Sequence, residues 1–149
     1  MRDELNATLK IAMKAGDKRR VDTIRLINAA LKDRDIEARG QGKVVSEDDI
    51  VALLQKMVKS RQESLGIYEK AGRAELAKIE ADEIAIIQEF LPKQMSDAEV
   101  DAAIDTALAT TGAASIKDMG KVVAALKAAH AGRMDFGKAS AAVKAKLAG

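Results

Sequence analysis

The chain has 149 residues, of which 48% are apolar, 32% charged and 2% aromatic, and 25 basic against 23 acidic side chains leave a formal net charge of +2. Such material is rich in helix formers and poor in strand formers, and it predicts an all-α protein. The absence of cysteine excludes disulfide and thiolate chemistry and fits the reducing cytoplasm, and with no secretory h-region and no run of eighteen apolar residues neither export nor a membrane partner is expected.

Leu5, Leu9 and Met13 recur every four residues and stop at Gly16, which predicts a short first helix closed by a glycine at positive φ. Asp17 is placed to cap the next helix, whose apolar stripe is Val21, Ile24, Ile27 and Leu31 and whose periodicity ends in GQGK at 40–43. Ser46 with Asp49 has the form of a capping box and opens a long helix. Its stripe comprises Ile50, Leu53, Leu54, Met57, Arg61, Leu65 and Tyr68. AG at 71–72 closes that helix, and Leu76, Ile79, Glu83, Ile86, Ile87 and Phe90 share a face of the one that follows. Pro92, the single proline, disfavours helical geometry at Leu91, and KQM reads as a short connector. Residues 1–95 are thus expected to form a domain built on a hairpin of long helices.

After the proline the same grammar is repeated in smaller units. Ser96 with Glu99 and Ser115 with Asp118 are further serine-plus-acid starts, and Asp135 is placed to cap a last helix. The stripes are Val100, Ile104 and Leu108; then Ile116, Met119, Val122, Val123 and Leu126; then Phe136, Ala139, Val143 and Leu147. Residues 96–149 therefore predict a second domain, a compact three-helix bundle with a small core. Its charge is segregated: 96–111 carries four acids and no base, whereas 116–149 carries seven bases against Asp118 and Asp135, a net of +5.

Little chemistry is within reach of these residue types. His130 is the only histidine, so a di-metal centre built on repeated Glu-x-x-His is excluded, and zinc lacks its usual ligands. Glu83 and Arg61 lie on facing stripes and are expected to form a structural ion pair rather than an acid/base couple. GQGK is too short for a phosphate-binding loop and follows a helix where that motif needs a strand. No catalytic residue, metal ligand or cofactor site is assigned, and no cofactor is expected.

What remains is the basic end: Lys117, Lys121, Lys127, Arg133, Lys138, Lys144 and Lys146. Lys117 and Lys121 are one helical turn apart, and Gly132 followed by Arg133 offers close backbone approach ahead of a helix N-terminus, a geometry suited to phosphate. No aromatic residues interleave with these bases for stacking, so RNA here is expected to be held by backbone and shape.

The stretches LKIAMKAGDKRRVDTIRLINAALK, KMVKSRQESLGIYEKAGRAELAKIEADEIAIIQEFLPKQMSDAEV and DMGKVVAALKAAHAGRMDFGKASAAVKAKL together resemble the GatB/YqeY family over nearly the whole chain. The resemblance implies a helical N-terminal part, a three-helix C-terminal bundle, and kinship with the tail of the B subunit of the tRNA-dependent amidotransferase. It further implies carbon–nitrogen ligase activity with glutamine as amido donor, as part of that enzyme's chemistry; no self-sufficient catalytic site for it is visible in this chain. Carried over by position, Lys121 in MGKVV and Gly132 and Arg133 in AGRMD become candidate contacts to the tRNA backbone, with Asp135 as a helix cap. The candidate nucleic-acid-binding set is Lys117, Lys121, Lys127, Gly132, Arg133 and Lys138. Phe136 departs from the small residue expected in that turn. The partner implied is tRNA or a tRNA-handling enzyme; the alternative is an accessory subunit that binds proteins through its long N-terminal helices. The oligomeric state is not legible in the sequence.

Overall fold

The computed structural model describes residues 1–148, which are all-α: seven helices and one short 3-10 turn. They divide into two compact units, one spanning Met1–Pro92 and the other beginning at Lys93. Gly149, the last residue of the expected second domain, lies outside the described residues.

The first unit contains α1 (Arg2–Ala15), α2 (Lys18–Gly40), α3 (Glu47–Lys70) and α4 (Ala74–Gln88). α1 ends where Gly16 adopts φ 69°, and Asp17 then caps α2 by accepting from the Arg20 N–H at 3.2 Å. Ser46 and Asp49 form a reciprocal box, with Asp49 N–H donating to Ser46 Oγ at 3.1 Å and Ser46 N–H to Asp49 Oδ2 at 2.9 Å. Gly72, at φ 70°, turns α3 into α4. α3 and α4 pack along one another, and α2 lies against α1 and α4. Leu5, Ile24, Ile27, Ile50, Leu54 and Ile87 are the fully buried centre of the core. Arg61 Nε donates to Glu83 Oε2 at 2.8 Å, with both side chains only 17% exposed, so the facing-stripe pair is made.

One stripe is corrected. Met13 is 53% exposed, and the buried partner of Leu5 is Ala12, at 2%. A spacing of four residues advances about 400° and one of seven about 700°, so Ala12 returns to within about 20° of Leu5 while Met13 drifts about 80° away.

The second unit contains α5 (Asp97–Thr111), a 3-10 turn (Ile116–Asp118), α6 (Met119–His130) and α7 (Phe136–Ala148). Ser96 and Glu99 close a box like that of α3, and Gly112 ends α5 at φ 67°. Ile104, Val122, Leu126, Met134, Ala139 and Val143 form the core, with Phe136 packed against it. Ile116, expected on the α6 stripe, sits instead in the 3-10 turn and is 47% exposed. Asp118 explains the change: its carboxylate accepts the N–H groups of Ala114 and Ser115, at 3.0 and 3.3 Å, and the regular helix begins only after it.

Candidate nucleic-acid interface

The α6–α7 turn is held from within. Gly132 adopts φ 74°, which brings Arg133 N–H to His130 O at 3.0 Å. Residues 93–95 are then laced onto it: Arg133 Nε donates to Lys93 O at 3.1 Å, Gln94 Nε2 to Gly132 O at 2.8 Å, and Met95 N–H to Arg133 O at 2.9 Å. The expected connector is therefore a strap of the second unit. Arg133 keeps two terminal nitrogens beyond this bond, and its charge helps hold the Glu99 carboxyl below the usual range, an effect caused first by the Ser96 N–H.

Asp135 takes the place that the sequence offers to a phosphate. Its Oδ1 accepts the N–H groups of Gly137 and Lys138, at 2.9 and 3.3 Å, so the first turn of α7 already has an anion. Asp135 acts as the cap its position implies.

The candidate cations do not form one tight patch. Lys117 stands in the 3-10 turn and Lys121 on the first turn of α6. Lys121 and Lys127, six residues apart, point about 120° from one another round the helix axis. Lys127 Nζ lies 5.9 Å from the centre of the Phe136 ring, on the flank of α6 that meets α7. The ring at 136, where a small residue was expected, is thus a platform for a lysine as well as a core contact. Lys138 is exposed on the first turn of α7.

Ion pairing separates structural lysines from available ones. Lys146 is clamped between Asp101 at 2.7 Å and Asp105 at 2.6 Å, which raises its pKa and withdraws it from the basic end. Glu99, Asp118 and Asp135 are occupied by backbone N–H groups. Among the described residues, Lys117, Lys121, Lys127, Lys138 and Lys144 are exposed and carry no ion pair. Lys144, outside the candidate set, belongs with them, and a count of bases could not distinguish it from Lys146 two residues on. The unit can offer several separated positive charges to a polyanion. Among the described residues no group of three or more His, Cys, Asp or Glu could hold a metal ion, and no helix is long and apolar enough to cross a membrane.

Fold and surface define a helical protein of two units, the second presenting unpaired lysines on a three-helix scaffold. The chain belongs to the family described as Yqey-like protein, whose model matches residues 2–147. That family is related to the C-terminal part of GatB. The chain is also 35% identical over 106 residues to Altered inheritance of mitochondria protein 41, mitochondrial, of Lachancea thermotolerans. The match covers 70% of this chain and 56% of that protein, so the chain spans little more than half the length of the relative.

Proposed function

We propose that this chain is a noncatalytic helical tRNA-binding or adaptor protein whose second unit engages the RNA backbone. The observation that carries this reading is the division of charge in that unit: its acids are mostly spent on caps and on Lys146, while five exposed lysines are left without an ion pair. Kinship with the amidotransferase tail supports tRNA as the polyanion. Glutamine-dependent carbon–nitrogen ligase chemistry then belongs to an enzyme that the chain assists, and the RNA would be the cytoplasmic pool; the relative's printed name places that protein in mitochondria.

Contacts of lysine with phosphate release counterions, which makes affinity strongly salt-dependent. If four phosphates are neutralised, binding of labelled total tRNA weakens on the order of a hundredfold between about 50 and about 200 mM salt. Fluorescence anisotropy of the full chain tests this. Absence of binding at the lower salt overturns the reading and directs attention to protein partners of the first unit, where Ile11, Ile36 and Ile67 are 68%, 59% and 66% exposed.

A further inference from the structure

Phe136 is the only aromatic residue after Pro92, and it opens α7 among the free lysines. It is half-buried and packs against the core of the second unit, which fixes its ring before any ligand arrives. Lys127 Nζ stands over the ring, 5.9 Å from its centre. Lys127 is itself exposed and among the described residues has no ion pair, so the face it covers is the one turned to solvent. That cover is a flexible four-carbon stem with a charged tip. The surroundings add little bulk: Gly137 follows the ring in the chain, and Ala124, three residues before Lys127 on the same face of α6, is exposed. Flat groups stack about 3.5 Å apart, so a planar ring laid on Phe136 needs the ammonium to rise by only about 1 Å to rest on its outer face. Lys138, two residues past the ring, is also exposed and free of ion pairs.

We infer that Phe136 is a stacking platform for one unpaired nucleobase of the bound RNA, with Lys127 closing over the base and Lys138 meeting a phosphate beside it. A flat group carried on an anionic backbone is what this arrangement suits: the ring meets the face of the base and the lysines meet the charge. The absence of interleaved aromatic residues excludes a track of stacked bases, but one ring is enough for one base. The inference rests on the RNA reading and narrows it to RNA that presents an unstacked base, in a loop or at a single-stranded end, because a continuous duplex keeps its base faces covered.

The probes are a labelled single-stranded RNA of about ten nucleotides without self-complementarity, the same strand annealed to its complement, and total tRNA, each titrated into the full chain at about 50 mM salt. Phe136→Leu keeps an apolar side chain for the core and every lysine, but removes the ring. It is expected to weaken binding of the single strand about tenfold and to leave duplex affinity unchanged, whereas Phe136→Tyr keeps the single-strand affinity. In the parent chain the Phe136 ring protons are expected to move upfield on adding the single strand and to stay in place with the duplex. Circular dichroism checks that the variants are folded; if Phe136→Leu is not, the ring protons of the parent still decide. Unmoved ring protons, indifference of the single strand to Phe136→Leu, or equal loss for strand and duplex overturns the stacking inference, and with tRNA binding intact spares the reading it rests on. No binding of tRNA or of either probe overturns that reading and the inference with it.

Discussion

Asp49 and Glu99 are exposed, yet each reaches back to the backbone N–H of the serine that caps its helix, and that bond favours the charged form. Asp118 does the same for the turn before α6. A carboxyl whose pKa is lowered on folding contributes stability that is complete above its unfolded pKa and is lost as pH falls through the folded value. The contribution of these three groups is therefore full above about pH 5 and disappears below the ordinary carboxylate range near pH 4. Thermal melts between pH 7 and pH 2 should show a steeper acid loss in the parent than in Asp49→Asn/Glu99→Gln, and equal steepness would contradict the assignment. The Arg61–Glu83 pair behaves differently because both side chains are mostly out of solvent. Glu83→Leu strands a half-buried guanidinium and is expected to cost about 2 kcal/mol, and adding Arg61→Met should recover most of it. Chemical denaturation of the three variants checks this.

At the scale of elements, helix ends were the most legible feature, because capping depends on two or three residues at fixed offsets. Gly16, Asp17, Ser46, Ser96 and Asp135 all stand where the sequence puts a start or a stop. Stripes were legible in outline only: a four-residue spacing drifts round the helix, which exposes Met13 and buries Ala12. The strap was not legible, since Gln94 and Met95 bond to a turn some 38 residues away and no local pattern encodes such a pair. Nor was the loss of Lys146 from the basic surface, which needs α7 laid against Asp101 and Asp105. Two glycines of the first unit test the conformational argument by opposite signs. Gly66 lies inside α3 with open space around it, so Gly66→Ala should stabilise by about 0.5 to 1 kcal/mol. Gly72 is equally uncrowded but has φ 70°, and Gly72→Ala should destabilise by about 1 kcal/mol through backbone strain alone. Paired denaturant titrations showing the same sign for both would refute the assignment.

For the whole molecule, size matters most in the second unit, since a domain of about 60 residues buries only about 60% of its unfolded surface. Leu126, 1% exposed, is central to its core. Leu126→Ala is expected to cost about 3 kcal/mol, a large share of what so small a unit holds, and circular dichroism should show helix loss at temperatures where the parent is intact. The tRNA reading also belongs to this scale, because the lysines are spread over α6, α7 and the 3-10 turn before them and act together on a polyanion. The decisive measurement is the slope of log affinity for tRNA against log salt, for the parent and for Lys121→Glu/Lys127→Glu. Both residues are exposed and free of ion pairs. The expected result is a parent slope of about −4, with the variant weaker at low salt and its slope shallower by about 2. An unchanged slope in the variant, or no tRNA binding by the parent at low salt, would contradict the account.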